Sequence, residues 1–202
     1  MGERTALNCL IIFCQCVIDV FGARYLKRPN EADTQRLLQM HEEKHDFPGM
    51  LGIHDCMHWE WGNCPVAWKG QYTRWSRSDI NVLNESPLFN VVLQGNASNV
   101  HFTVNETSYT KGYYLTDGIY PEWAAFVKSF TCPEDPNKKK FKERQESARK
   151  DIERAFGVLQ ACWAIVRGPA RSYYRNDLRN IMYTCIILHN MIIEDEEVES
   201  IN

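Results

Sequence analysis

Apolar positions recur at helical spacing from the start of the chain. Leu7, Leu10, Ile11, Cys14, Val17, Ile18 and Phe21 share one face, which predicts an amphipathic helix over 3–21 closed by Gly22. Asn8, Gln15 and Asp19 interrupt the run. It therefore reads as a packing helix, too short and too polar for a membrane span and lacking the small-residue site that ends a secretion signal. Pro29-Asn30-Glu31 opens a second helix with Leu37, Leu38 and Met40 on its apolar face, and Asp46-Phe47-Pro48-Gly49 stops it. Residues 50–55 predict a short buried strand. A Trp-rich stretch without a clean period follows, with Trp59, Trp61, Trp68 and Trp75.

Asp79 is placed to cap a helix carrying Ile80, Val82 and Leu83, in a region that runs on to Leu93. Residues 101–104 and 107–110 predict a hairpin, and 113–116 an apolar strand ending at Asp117-Gly118. Residues 122–130 read as a short helix, 133–140 as a Lys-rich loop, 141–160 as a long helix and 163–166 as a last strand. Residues 177–194 form an apolar final helix with an acidic tail. No internal repeat is visible. Strands interleaved with helices indicate an α/β or α+β class with buried parallel strands.

The 202 residues suffice for one ordinary domain, and 44% hydrophobic with 12% aromatic residues supports a packed core. The net charge of −3 excludes binding of a polyanion by bulk charge, so any nucleic-acid surface must be a local basic patch. The eight cysteines show no short, regular framework. Most are expected to be reduced, buried thiols of a cytosolic or nuclear protein that is not secreted.

Candidate chemistry is concentrated in acids. Asp55 and Asp117 each end a predicted buried strand, where open α/β sheets carry their sites, and Glu153 lies on the long helix downstream. Such a set can hold a pair of hard divalent cations through oxygen; three unrelated caps and surface acids are the alternative. Lys138, Lys139, Lys140, Lys142, Arg144, Arg149, Lys150 and Arg154 run into the same helix and suit a phosphate backbone, although Glu143, Glu146 and Asp151 could equally balance them as a solvated face. His41-Glu42-Glu43-Lys44-His45 matches the H-E-x-x-H zinc motif, but the helix ends at once and the wider pattern fails, so a charged helix end is expected. His54, Cys56, His58 and Cys64 fit no paired-cysteine zinc spacing.

Long blocks of the chain resemble the plant PIF/Harbinger transposases, metal-dependent DNA-cutting enzymes. Phe47-Pro48-Gly49-Met50-Leu51-Gly52 and Asp55-Cys56-Met57-His58-Trp59-Glu60-Trp61 resemble the first acidic motif. Gly112-Tyr113-Tyr114-Leu115-Thr116-Asp117-Gly118-Ile119-Tyr120-Pro121 resembles the second, and Asp151-Ile152-Glu153-Arg154-Ala155-Phe156-Gly157-Val158-Leu159-Gln160 the glutamate helix. Ser78-Asp79-Ile80-Asn81-Val82-Leu83 resembles the block after the third strand, and Leu188-His189-Asn190-Met191-Ile192-Ile193-Glu194-Asp195 the closing helix, where His189 and Asn190 are expected to be structural.

The resemblance implies a ribonuclease H-like nuclease domain over 49–202 behind an N-terminal helical segment over 1–48. It implies a catalytic triad of Asp55, Asp117 and Glu153, with Asp79 as a further metal ligand. It also implies Mg²⁺ or Mn²⁺ as cofactor and DNA as partner, contacted by Lys138, Lys139, Lys140, Lys142, Arg149, Lys150 and Arg154. No membrane and no small-molecule cofactor are implied, and the location is the nucleus, with the cytoplasm as alternative. Two departures matter. A full upstream DNA-binding segment is expected to be missing from this stretch, and a protein partner is a possible source of DNA binding. Arg74 to Arg77 also directly joins blocks that the family separates by two strands, each of which needs roughly five or six residues. The expected domain thus lacks two strands of its sheet, the Asp55 strand falls at an edge, and catalysis is impaired. The rival expectation is a non-catalytic remnant acting as an interaction module through the Trp-rich stretch and the final helix.

Overall fold

The computed structural model describes residues 2–72, 80, 83 and 99–201. The elements are α1 (Glu3–Tyr25), α2 (Glu31–His45), β1 (Met50–Ile53), α3 (Val66–Lys69), β2 (Asn99–Val104), β3 (Thr107–Lys111), β4 (Tyr113–Thr116), β5 (Phe126–Lys128), α4 (Pro136–Cys162), α5 (Ala164–Arg167) and α6 (Arg175–Ile201). They divide into two units of separated stretches. One comprises Met1–Arg28, His58–Gly70 and Phe156–Asn202, the other Pro29–Met57 and Gln71–Ala155.

In the first unit α1 pairs with α6 through buried Cys14, Val17, Ile181 and Cys185. Thr184 Oγ1 donates to the Cys14 carbonyl at 3.3 Å, and the Arg24 guanidinium meets the Glu194 carboxylate at 2.5 Å. Burial pushes the Cys185 thiol up to about 11. All eight cysteines are free, but only Cys14 and Cys185 are buried and four are exposed, so the expectation of mostly buried thiols is corrected. The helix is also longer than its sequence pattern suggested. Over Arg4–Tyr25 it reaches the length and apolar composition of a membrane span, while its Cys14–Val17 face packs on α6.

The aperiodic Trp-rich stretch has a structural explanation in the same unit. Trp59 and Trp61 donate their indole N–H groups to the carbonyls of Gly168 and Ser172, both at 2.8 Å, and the Asn63 amide donates to Arg171 at 2.6 Å. The backbones join as well, Ala170 N–H to the Glu60 carbonyl and Gly62 N–H to the Ala170 carbonyl. These side chains strap one segment to another, a task that needs no helical or strand period.

The second unit is built on a parallel sheet of order β1-β4-β5. Met50, Leu115 and Ala148 are fully buried between the sheet and α4, with Phe47 beside them. α2 begins with a capping box, Asn30 and Asp33 satisfying each other's backbone N–H groups. It ends at Asp46, and the chain turns into β1 through Gly49 at φ +80°, where a Cβ would overlap the Phe102 ring. β2 and β3 form an antiparallel hairpin whose two turn residues, Asn105 and Glu106, both have positive φ, as a type I′ turn requires.

Three expected elements are corrected. Residues 122–130 contain β5 instead of a helix, because Phe126, Val127 and Lys128 pair in parallel with Tyr114, Leu115 and Thr116. Residues 163–166 lie at the start of helix α5 instead of in a strand; four apolar residues carry too little period to decide between the two. The Lys-rich segment expected as a loop already belongs to α4. Asp135 Oδ1 accepts the N–H groups of Asn137 and Lys138, and Pro136 takes the first helical position, where its missing N–H costs nothing. The region expected as a helix from Asp79 to Leu93 lies outside the described residues except for Ile80 and Leu83, both helical.

His45 ends α2 almost buried, 3.3 Å from the Asp151 carboxylate of α4 and beside Lys44. Burial holds it below its ordinary 6.5, ahead of the opposing pull of Asp151. The neutral form is therefore the one the fold favours. Its contribution to stability is complete above about pH 6.5 and is lost as pH falls below that value, because the unfolded chain binds the proton first. Asp151 is held below its ordinary value mainly by Lys44, so its own loss begins only below about pH 3.8. Urea midpoints between pH 8 and pH 4.5 are expected to stay level down to about 6.5 and then decline. The decline should be shallower in His45→Gln.

Candidate active site

β1 and β4 pair with Ile53 opposite Leu115, and the His54 N–H donates to the Leu115 carbonyl at 2.8 Å. Asp55 and Asp117 each follow two residues later, at the carboxyl ends of adjacent parallel strands whose backbones run about 4.8 Å apart. Both turn one carboxylate oxygen back onto the next residue: Asp55 Oδ1 accepts from Cys56 N–H at 2.9 Å and Asp117 Oδ1 from Gly118 N–H at 2.6 Å. The loop after β4 is held by buried Tyr120, whose hydroxyl donates to Cys56 Sγ at 3.4 Å. Lys128 Nζ donates to the Tyr120 carbonyl at 2.8 Å.

α4 reaches this edge with three differently committed faces. Phe141, Gln145, Ala148 and Ile152 repeat at helical spacing; Gln145 and Ala148 are fully buried, and Ala148 and Phe141 pack on the sheet core. Gln145 Nε2 donates to the carbonyls of Val127 at 2.8 Å and Thr116 at 3.4 Å. This side chain was not singled out in the sequence, where it reads as one more polar residue in a charged helix. The second flank is fastened to the end of α2, with Arg144 meeting Asp46 at 3.3 Å and Lys44 meeting Asp151 at 2.7 Å. The third bears Arg149, whose guanidinium meets Asp117 Oδ1 at 3.3 Å, and Glu153 one turn further on.

The structure thus brings Asp55 and Asp117 to one edge and places Glu153, exposed, about 6 Å along the helix from the arginine that Asp117 holds. Among the described residues no three His, Cys, Asp or Glu side chains form a group able to hold a metal ion. The donors suit hard cations, since all three are carboxylates, and the cationic partner that Asp117 has here is Arg149. Asp79 lies outside the described residues.

The expected phosphate-binding residues have mixed commitments. Lys142 pairs with Glu146 and Arg154 with Asp151, while Lys138 lies over the Phe130 ring. Lys139, Lys140 and Lys150 are exposed. The histidines of the H-E-x-x-H match serve the fold, His41 Nδ1 lying 2.9 Å from the Met50 carbonyl and His45 against Asp151. His54 stacks on Phe126 and meets Tyr120 edge-on.

With this geometry established, the chain matches the family model described as plant transposon protein over residues 23–78 and again over 75–200. It is 27% identical over 134 residues to an Arabidopsis thaliana protein described as "Protein ALP1-like". That match covers 65% of this chain and 32% of the relative, so the chain spans about a third of the length of the curated protein it matches. No solved structure matches.

Gln145→Glu tests the docking of α4. It replaces the N–H donor with an oxygen facing two carbonyls in a buried place, so the mutant carboxyl is driven towards its protonated form. A loss of about 3 kcal/mol relative to the parent is expected at pH 7 by urea denaturation. The loss should shrink towards pH 4.5, where a protonated carboxyl again has a hydrogen to donate. A pH-independent difference would count against this role.

Proposed function

The chain belongs to the plant transposon protein family and is transposase-derived, of Harbinger type, and from that premise we propose that its acidic edge is the remnant of a divalent-metal-dependent DNA nuclease, impaired in catalysis as this chain stands. The observation that carries the reading is the β1–β4 register, which sets two aspartates side by side at the carboxyl ends of parallel strands. The fold proposed is a ribonuclease H-like sheet that has lost two strands.

In this reading Asp55, Asp117 and Glu153 hold Mg²⁺ or Mn²⁺, with Asp79 as an additional ligand. The ions would supply an activated water and neutralise the leaving oxygen of a phosphodiester. Lys139, Lys140 and Lys150 offer exposed charge to the DNA backbone. Lys138, Lys142, Arg149 and Arg154 must first exchange an internal partner for a phosphate. The site of action is the nucleus, and a partner protein adds DNA affinity.

Impairment follows from weakened support. Among the described residues β1 has a strand partner on one side only, and a ligand platform paired on one side is less stiff than one paired on both. A displacement of about 1 Å can cost on the order of a hundredfold in rate. The split of the family match at residues 75–78 supports an internal shortening where Arg74–Arg77 joins the flanking blocks.

A Mn²⁺-dependent nicking assay on supercoiled plasmid at low salt tests this reading. The chain as it stands is expected to leave the plasmid intact. A version with two strands restored from a longer family member is expected to nick it, and Glu153→Gln in that version should abolish nicking. Nicking by the unrestored chain, abolished by Glu153→Gln, would overturn the impairment. Inactivity of a folded restored version would favour the non-catalytic alternative.

A further inference from the structure

The Asp117 carboxylate is already engaged by a cation of the chain itself. Arg149 lies one turn before Glu153, its side chain only 15% exposed, and it reaches Asp117 Oδ1 at 3.3 Å. That oxygen also accepts the Gly118 N–H at 2.6 Å. The guanidinium is poorly repaid for its burial, because Arg149 Nε is buried without a hydrogen-bond partner among the described residues. A buried guanidinium favours several acceptors in a fork arrangement, and here one crowded oxygen receives it. Asp117 itself is 46% exposed on its side chain, open to a competing ion from solvent. A divalent ion bound by the same carboxylate would face the guanidinium at a few ångströms, where like charges repel strongly.

We propose that Arg149 is a positioning residue that stands in for the metal at Asp117: it keeps the acidic edge neutralised while the site is empty and must withdraw before a divalent ion binds. The inference rests on the reading of this edge as a metal site. It differs from an ordinary structural ion pair in its sign, since removing the arginine should improve binding. The contact also links loading to the glutamate helix. Withdrawal frees the flank that bears Glu153, whereas Gln145 and the α2 contacts hold the other two faces of α4 in place.

The test measures Mn²⁺ binding to the full chain, counting free Mn²⁺ by electron paramagnetic resonance, for the parent, Arg149→Gln, Arg149→Lys and Asp117→Asn. Arg149→Gln is expected to bind Mn²⁺ about tenfold more tightly than the parent, equivalent to about 1.4 kcal/mol. Arg149→Lys, which keeps the charge, should stay within about threefold of the parent. Asp117→Asn should bind more weakly than the parent. An independent readout needs no variant. Labelling of Arg149 in the parent by an arginine-directed dicarbonyl reagent, followed by mass spectrometry, should rise several-fold when Mn²⁺ is added. If the parent binds Mn²⁺ but Arg149→Gln binds it no better, or labelling does not rise, the stand-in role is overturned and the metal reading stands. If neither parent nor Arg149→Gln binds millimolar Mn²⁺, both fall together.

Discussion

The acidic edge exists because β1 pairs with β4 in parallel. Parallel pairing sets both carboxyl termini at the same end of the sheet, and the Ile53–Leu115 register makes Asp55 and Asp117 leave their strands at the same level. An antiparallel pair would send the two acids to opposite ends. A slip of one residue would turn Met50 and Ile53 away from the core. Both strands have four residues, so ladder hydrogen bonds alone provide little, and the pairing depends on the cover. Burying Met50 and Leu115 stabilises by about 1.5–3 kcal/mol each.

The cover is α4, and its sides have separate tasks. The apolar stripe lies on the sheet, and Ala148 allows close approach because it presents only a methyl group. Gln145 adds direction, since hydrophobic contact lets a helix slide or roll while a buried amide donating to carbonyls of two adjacent strands does not. The α2 end grips the opposite flank at Asp46 and Lys44. The remaining flank thereby faces the edge, and Arg149 and Glu153 arrive there as a consequence of the docking.

The first unit shows the same economy by different means. α1 and α6 meet although the whole chain separates them. Their apolar stripes pair, and the end of α1 is tied down by Arg24 and Tyr25 on the Glu194 carboxylate. The indole N–H groups of Trp59 and Trp61 donate to backbone carbonyls of the chain itself, which fastens residues 59–61 to residues 168–172 of the same unit.

Much was legible in the residues alone, and the parts that were share a reason. α1, α2, the hairpin and β4 announce themselves by local rules: helical period, the Asn30–Asp33 cap, a two-residue turn and an apolar run ending in Asp-Gly. Motif blocks pointed to Asp55, Asp117 and Glu153 and to the family, because those signals are contiguous in sequence. The beginning of α4 at Asp135-Pro136 was also written locally and was overridden by the lysines that follow. Tertiary structure alone decided the rest. Residues 122–130 became a strand because β4 offered an unpaired side, and 163–166 became a helix because so short an apolar run has no period of its own. The burial of Gln145, the pairing of Arg149 with Asp117 and the Trp straps depend on partners roughly 18 to 111 positions away, and no local pattern encodes which carbonyl or carboxylate a polar side chain will meet once the sheet and its covering helix have closed.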